Sequence, residues 1–302
     1  MNIENFIRKF QVPEAARPFV DKIFTKEEID FVDRMDKEVF TLQDAKEIIG
    51  GNAAAFIQNS YRRGVVSLID ELTNKYKIAN FYSRLDIFAV SEQEVYRSIP
   101  KEGQTAMDDW YFDAYYNGLN PDKNTRPTED EILPLDKVLE FIDEQDRPVY
   151  LNYCDCRSLR GDCGKPTQTC ITYRDGINTF AHRGISEKID KERAKKIVID
   201  TDKKGLMHTV NPNGICNCCG ECCYLFRSQT QRGSVGFWPK TKQIIKLDEE
   251  RCIACGACIK RCHFDVFSKN DGYIIADISK CVGCGICANT CPTKSLSLEA
   301  RG

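Results

Sequence analysis

The first 150 residues show helical patterning that is interrupted by turn signals. Thr25 precedes Glu28 by three residues, and this capping box predicts a helix that runs to about Met35. Thr41 begins a second predicted helix, which ends at the glycine pair nine residues later. A third predicted helix covers Ala53–Leu72, where Ala, Ile, Val and Leu recur at mixed helical spacing.

A different pattern follows these helices. The stretch Ile78–Val90 is rich in Phe, Tyr, Ile and Val and predicts strand. Three helices followed by a strand pair predict a helical, winged-helix-like domain over residues 1–116. Residues 117–150 form a predicted connection, because 117–134 is polar and rich in Pro and Gly, and only Leu135–Asp143 has the pattern of a short helix.

Cysteine divides the chain more sharply than any other residue type. All 17 cysteines lie between Cys154 and Cys291, with nine in residues 151–240 and eight in residues 241–302. An odd number without an export signal argues against a disulfide scaffold, and dense cysteine in a reducing compartment indicates bound metal. We therefore expect an α+β protein whose middle domain is irregular and cysteine-rich, followed by a second metal-binding domain.

Charge and hydropathy exclude several function classes. Lys and Arg total 43 against 45 Asp and Glu, so the net charge of −2 gives no general attraction to nucleic acid or anionic membranes. The opening MNIENFIRKF lacks the apolar segment of a signal peptide, and no apolar run approaches the length of a membrane span. We expect a cytoplasmic protein without membrane insertion, and the cysteine content suggests an oxygen-poor, anaerobic cell.

The eight C-terminal cysteines form two copies of one motif with a period of 29 residues. Each copy follows a similar acidic segment and has the spacing C-x2-C-x2-C-x3-C, and the second copy ends in Pro292. The first copy comprises Cys252, Cys255, Cys258 and Cys262, and the second comprises Cys281, Cys284, Cys287 and Cys291. Three thiolates at this spacing can wrap one [4Fe–4S] cubane, while the fourth points toward the other cluster.

This segment resembles the bacterial two-cluster ferredoxin domain over about residues 248–298. The resemblance implies that Cys252, Cys255, Cys258 and Cys291 hold one cluster, and that Cys281, Cys284, Cys287 and Cys262 hold the other. His263 departs from the pattern, because it stands where the first copy would usually have Pro. Two zinc knuckles are the alternative interpretation, although zinc sites do not need this triple spacing repeated twice.

The nine middle cysteines have a less regular spacing. They are Cys154, Cys156, Cys163, Cys170, Cys216, Cys218, Cys219, Cys222 and Cys223. They could ligate one or two further clusters, which would give four in all. One arrangement groups Cys156, Cys163 and Cys170 with a cysteine from 216–223, and groups Cys154 with the remainder. Adjacent cysteines point in divergent directions and can serve different sites. A zinc-stabilised structural module and disulfides are the alternatives.

Two resemblances bear on this zone. The segments CDCR and CNCCxxCC, followed by a ferredoxin-like domain, resemble a family of uncharacterised 4Fe-4S binding proteins of anaerobes. That resemblance covers about Cys154–Cys291 and implies electron transfer without a defined substrate. The Cys-Cys-Gly at 218–220 weakly resembles the motif of heterodisulfide-reductase-type subunits, which implies an unusual catalytic cluster.

Other polar residues have weaker indications. His182 and His208 could hydrogen-bond a cluster, although a surface or helix-end role fits them as well. Four basic residues lie near the first middle cysteines and could offset cluster charge: Arg157, Arg160, Lys165 and Arg174. Arg62-Arg63 lies where a winged helix would read DNA, but residues 1–100 contain 14 basic and 16 acidic residues, so no basic footprint supports nucleic-acid binding.

The sequence thus predicts a multi-cluster iron–sulfur protein that passes low-potential electrons to or from a partner redox enzyme. It would be an electron carrier or oxidoreductase subunit rather than a stand-alone enzyme, and homo-oligomers stay open. One alternative is an oxidoreductase with a catalytic cluster in the middle domain. The other is a redox-responsive winged-helix regulator.

Overall fold

The computed structural model describes residues 2–120 and 122–301. The backbone contacts divide the chain into two compact units, which are described separately. The first unit comprises Met1–Ala114, Ser158–Arg160 and Arg174–Glu187, and the second comprises Tyr115–Arg157, Gly161–Tyr173 and Lys188–Gly302. The predicted division into 1–116, 117–150, 151–240 and 241–302 stays a prediction.

The first unit is mainly helical. Its helices are α1 (Ile3–Phe10), α2 (Val20–Ile23), α3 (Lys26–Arg34), α4 (Leu42–Ile49), α5 (Ala53–Arg62), α6 (Phe81–Ser91), α7 (Gln93–Arg97) and α8 (Lys101–Asn117), with a 3₁₀ helix at Glu14–Phe19. The strands β1 (Val66–Asp70) and β2 (Lys75–Ile78) form an antiparallel hairpin after α5. The order of helices and hairpin is the one expected of a winged-helix-like module, and that classification stays a prediction.

The first two helix predictions are confirmed, including the capping box of α3. The Glu28 amide donates to the Thr25 hydroxyl, and the Thr25 amide donates to the Glu28 carboxylate. The third predicted helix was too long, because the chain leaves α5 at Arg62 and the β-branched pair Val65-Val66 leads into the hairpin.

The strand predicted over Ile78–Val90 was wrong. These residues form most of α6, and Asn80 caps the helix by accepting a hydrogen bond from the Ser83 amide. Phe81, Leu85 and Phe88 are fully buried, and apolar residues lie on several sides of the helix. A helix without one polar face has no clear 3.6-residue period, so its composition resembles that of a buried strand.

The second unit contains a seven-stranded sheet where the sequence predicted an irregular domain. Its strands are β3 (Glu131–Leu133), β4 (Val149–Tyr153), β5 (Gln168–Thr172), β6 (Glu187–Ile189), β7 (Met207–Asn211), β8 (Gly214–Cys218) and β9 (Lys240–Thr241), in the order β6-β4-β5-β8-β7-β3-β9. The pair β3–β9 is parallel, and four other pairs are antiparallel: β3–β7, β4–β5, β5–β8 and β7–β8. Helix α9 (Leu135–Asp143) agrees with its prediction, and α10 (Asp155–Arg160), α11 (Lys191–Lys203) and α12 (Tyr224–Arg232) complete this part.

One hydrophobic core packs against the sheet and contains no cysteine. Val138 and Ile142 of α9 and Val198 of α11 pack on Leu151 and Ile215 of the sheet. These buried aliphatic contacts secure one part of the sheet without using any cysteine. The strands are short and mix Cys, Asn and Thr among apolar residues, which hid them from sequence patterns.

The C-terminal part contains two small antiparallel hairpins and two short helices. Strand β10 (Gln243–Leu247) pairs with β13 (Leu296–Ala300), and β11 (Phe267–Asn270) pairs with β12 (Tyr273–Ala276). Helix α13 (Ala257–Arg261) lies in the first motif, and α14 (Ile286–Thr290) lies at the equivalent place in the second, with a 3₁₀ helix at Ile278–Lys280. Within the described residues, no helix combines the length and the apolar character needed to cross a bilayer.

The capping box of α3 gives a local test of the first unit. Thr25→Ala removes the hydroxyl that accepts from the Glu28 amide, which costs about 1 kcal/mol of local stability. We expect amide hydrogen exchange in α3 to accelerate about fivefold, because tenfold corresponds to about 1.4 kcal/mol. Thr25→Ser retains the hydroxyl and should leave the exchange rates close to wild type. Equal acceleration in both variants would contradict the capping role.

Candidate metal centres

The C-terminal cysteines line two separate cavities. Cys252, Cys255, Cys258 and Cys291 surround the first cavity, together with apolar residues that include Ile274 and Leu296. Cys262, Cys281, Cys284 and Cys287 surround the second, together with Phe264, Val266 and Ile286. Each cavity therefore takes three thiols from one motif and the fourth from the other motif. The structure brings together the same two sets of four cysteines that the ferredoxin resemblance implies.

The 29-residue repeat is also a repeat of backbone geometry. Ala254 and Gly283 occupy equivalent positions, both have positive φ, and each amide donates to the sulfur two residues earlier at 3.4 Å. At Gly283 a Cβ atom would lie 2.1 Å from the Gln243 carbonyl oxygen, so the second copy needs glycine for close packing as well as for φ. The two N–H···S bonds thus fold both loops in the same way around the first sulfur of each motif.

The pKa values of the cavity thiols differ, because burial and hydrogen bonding act on them to different extents. Burial raises the pKa of Cys284 to about 12, so the free protein holds that thiol protonated until metal replaces the proton. Burial also raises the pKa of Cys291, but hydrogen bonds with Ser295 (3.2 Å) and Thr293 (3.7 Å) outweigh it and lower the pKa to about 7. Cys291 is therefore more readily deprotonated than Cys258 of the same cavity, whose pKa burial raises.

The chemistry of both cavities fits an iron–sulfur cubane. All 17 cysteines of the chain are free thiols, and each cavity presents four of them from separate positions around apolar walls. Four thiolates complete the outer coordination of a [4Fe–4S] cluster, one on each iron. Apolar walls exclude water from such a group and so tune its potential.

Comparison with known proteins agrees with this geometry. Residues 238–296 match the family model described as "4Fe-4S dicluster domain". No curated protein and no solved structure matches the chain. We call residues 238–296 the dicluster domain. This domain shows that the chain is an iron–sulfur protein that binds more than one [4Fe–4S] cluster.

Six of the nine middle cysteines form a closed ring of hydrogen-bonded thiols. In order around the ring they are Cys154, Cys170, Cys216, Cys218, Cys223 and Cys156, and Cys156 returns to Cys154. We call this set the six-thiol ring. The carboxylate of Asp155 lies within 4.8 Å of the Cys154 and Cys156 sulfurs, and burial raises its pKa to about 6.

The sheet positions the ring directly. Cys154 follows β4 and immediately precedes α10, while Cys170 lies on the neighbouring strand β5. The pairing of β5 with β8 places Cys170 beside Cys216, and Cys218 lies two residues further along β8 on the same face. Cys223 caps α12, which begins after the turn that follows β8. Strand pairing and two helix starts therefore bring the six thiols together.

The other three middle cysteines form a second group. The sulfurs of Cys163, Cys219 and Cys222 all lie within 4.8 Å of one another, and we call them the three-thiol group. Hydrogen bonds from its neighbours lower the pKa of Cys219, whereas the same contacts raise the pKa of Cys222, because one thiolate accepts from two thiols. Adjacent cysteines thus divide between the groups, with Cys218 and Cys223 in the six-thiol ring.

The suggested grouping of Cys156, Cys163 and Cys170 does not agree with this geometry. Cys163 lies with Cys219 and Cys222, whereas Cys156 and Cys170 both belong to the six-thiol ring. These three cysteines follow one another at intervals of seven residues, but the interval does not bring them together. They lie on a helix, a loop and a strand in turn. The ligand role of all nine stays a prediction.

A buried polar network lies behind the ring, with Asn217 at its centre. The Asn217 amide group donates to the Thr169 carbonyl at 2.6 Å, and its oxygen lies 2.6 Å from His208 Nδ1 and 3.1 Å from the Thr201 hydroxyl. Since Asn217 lies between Cys216 and Cys218 on β8, its side chain projects to the opposite face. The network fixes the strand that presents two of the ring thiols.

Two of the residues singled out earlier belong to this network. His208 is fully buried on β7, so the helix-end role is wrong, and its ring bonds Asn217 rather than a cysteine. Arg157 is 1% exposed and donates to the carbonyls of Asn217 and Pro166. Burial lowers the pKa of Arg157, but the surrounding thiols outweigh this and raise it, so the guanidinium stays charged.

The remaining polar candidates have other contacts. In the first unit, His182 contacts the Tyr61 hydroxyl (2.7 Å) and Glu71 (3.3 Å), and Arg160 pairs with Asp108 and Asp109. Arg174, also in the first unit, is exposed. In the second unit, the Lys165 ammonium donates to the Lys204 carbonyl at 2.7 Å. Lys165 also contacts a middle cysteine, because its backbone amide hydrogen-bonds the Cys163 sulfur.

His263 connects the dicluster domain to the cysteine run of the sheet. Its Nε2 lies 2.7 Å from the Gly205 carbonyl oxygen, and its Cβ packs on Gly220, where an added Cβ would lie only 2.6 Å away. Gly220 lies between Cys219 and Cys222 of the three-thiol group. The departure from Pro at position 263 therefore provides a hydrogen bond and a close contact within the second unit.

The repeat geometry predicts a strong effect of Gly283→Ala. Positive φ costs an alanine about 1–2 kcal/mol, and its Cβ would also collide with the Gln243 carbonyl of β10. We expect less iron per chain after anaerobic purification and a lower melting temperature. Gly272→Ala is the matched control, because Gly272 also has positive φ but has no atom within 4 Å of the added Cβ. Equal iron loss in both variants would contradict the close-packing argument.

Proposed function

We propose that this protein is a multi-cluster iron–sulfur electron-transfer protein, a carrier or oxidoreductase subunit that exchanges low-potential electrons with a partner redox enzyme. Bound clusters supply one-electron redox chemistry, and the residues around them exclude water and set the potentials. One observation carries the proposal most directly: the second dicluster cavity and the six-thiol ring share a single apolar cluster.

This shared cluster is formed by residues from both sites. Cys218 and Cys223 of the ring pack in it with Val282 and Ile286 of the second cavity, and Cys284 packs against it. Phe226 of α12 and Phe264 of the dicluster domain meet within it, with ring centroids 5.3 Å apart. Apolar packing connects the two sites continuously, which suits electron exchange between them.

Exposure suggests where a partner docks. Cys255 at the first cavity is exposed and its neighbour Ile253 is 64% exposed, whereas Cys281 and Cys287 at the second cavity are buried. Of the two dicluster cavities, the first is therefore the one that a partner protein can approach more closely. The proposed order runs from the partner to the first cavity, then to the second cavity and the six-thiol ring, or in reverse.

The chemistry of the chain also suggests its surroundings. Seventeen free thiols are stable in a reducing compartment, so we propose an oxygen-poor cytoplasm. The resemblance to uncharacterised 4Fe-4S binding proteins of anaerobes is consistent with this proposal. The DNA-binding regulator has less support, because Arg63 is paired with Glu28 and Glu92 inside the first unit.

Cys255→Ser tests the proposed order. The variant should lose at most about four irons per chain, because only one cubane loses a ligand. We expect slower electron uptake from reduced methyl viologen in anaerobic stopped-flow measurements, with the N-terminal unit still folded by circular dichroism.

Tyr273→Phe is the matched control for this experiment. Tyr273 is 75% exposed in the same domain and lies outside the residues that line either cavity, so its iron content and uptake rate should equal those of wild type. Wild-type protein whose iron–sulfur absorbance does not bleach and recover reversibly would contradict the electron-transfer function. Unchanged uptake in Cys255→Ser would contradict only the entry point.

A further inference from the structure

The three-thiol group differs from the dicluster sites in the spacing of its sulfurs. All three sulfurs lie within 4.8 Å of one another. A tetrahedral ion with metal–sulfur bonds of about 2.3 Å places its thiolates roughly 3.8 Å apart. A cubane places each thiolate on a different iron, so its thiolates lie farther apart. Among residues 2–120 and 122–301, no three dicluster thiols form so tight a group.

The local sequence of this group is that of a metal knuckle. Cys219-Gly220-Glu221-Cys222 is a C-x2-C pair, the spacing that zinc sites use. The Cys222 amide donates to the Cys219 sulfur at 3.3 Å, which bends the turn around that sulfur. Gly220 lies at the tip of the turn, where His263 leaves no room for a side chain.

The third thiol comes from a separate segment. Cys163 lies on the loop between α10 and β5, and its sulfur hydrogen-bonds both Cys219 and Cys222. Cys219 and Cys222 are fully buried beside Leu206, whereas Cys163 is half-buried. The group is therefore closed on one side and accessible to an ion on the Cys163 side.

We propose that Cys163, Cys219 and Cys222 bind one thiophilic divalent ion, Zn²⁺ in the first instance, separately from the iron–sulfur clusters. Three thiolates leave one coordination position for solvent. The ion joins the α10–β5 loop to the β8–α12 turn. Because Cys218 and Cys223 flank the knuckle, the ion also fixes two thiols of the six-thiol ring. This proposal does not rest on the electron-transfer function.

The experiment uses the full-length protein purified anaerobically and washed with EDTA. We expect about one zinc per chain by mass spectrometry, and X-ray absorption at the zinc edge should show three sulfurs at about 2.3 Å. Cys163→Ser should lower the zinc content at least fivefold while the dicluster iron is retained. Cys258→Ser is the matched control, because it removes a first-cavity thiol and should lose iron but keep zinc.

Three results would overturn the proposal. Wild-type protein without zinc, in which Cys163→Ser loses iron, would assign the group to an iron–sulfur cluster. Zinc that persists in Cys163→Ser would place the ion elsewhere. A zinc-edge X-ray absorption spectrum of the wild-type protein that shows nitrogen or oxygen ligands and fewer than two sulfurs would exclude this site. This result does not depend on whether the variant folds. None of these results bears on reversible bleaching of the clusters, so failure of the proposed function is recognised separately.

Discussion

The arrangement of the second unit depends on one constraint, the backbone path through Cys216–Cys223. Strand β8 presents Cys216 and Cys218 on one face and Asn217 on the other. The turn that follows directs Cys219 and Cys222 into the three-thiol group, and the start of α12 returns Cys223 to the six-thiol ring. Eight consecutive residues thus supply thiols to two sites, and neither site can form unless the strand ends and the helix begins where they do.

If the six-thiol ring holds a cluster, as predicted, the charge of that cluster accounts for the polar residues behind the ring. Clusters held by thiolates carry negative charge, and a cation in the interior offsets that charge while it lowers the cost of its own burial. Arg157 occupies such a position, fixed by the carbonyls of Asn217 and Pro166. Asn217 in turn bonds Nδ1 of His208 and the Thr201 hydroxyl, while Nε2 of His208 lies 3.7 Å from the Asp202 carboxylate. The same residues that shape the ring therefore also set its electrostatics.

The sequence predicts structure best where a few neighbouring residues determine both the local backbone and the chemistry of a site. The C-x2-C-x2-C-x3-C repeat predicted the dicluster domain, because three thiols on one loop can face one cluster without any knowledge of distant contacts. The ferredoxin resemblance implied the two sets of four cysteines that line the cavities. The capping boxes at Thr25 and Thr41 are equally local. The seven-stranded sheet and α6 were missed, because short buried strands and a helix buried on several sides lack a clear period. The six-thiol ring depends on the pairing of β5 with β8, which brings Cys170 near Cys216 and which no spacing encodes.

His263 shows how the local motif and the distant structure meet. A ferredoxin-like domain that stands alone has no need of a side chain at this position that binds another segment, and a rigid proline suffices there. In this chain the imidazole bonds the Gly205 carbonyl and packs on Gly220, next to the three-thiol group. The departure therefore lies where the dicluster domain contacts the sheet, beside the apolar cluster of Phe226 and Phe264. The histidine thus makes a contact that a separate domain could not make, and this contact supports the proposal that the dicluster domain and the sheet exchange electrons.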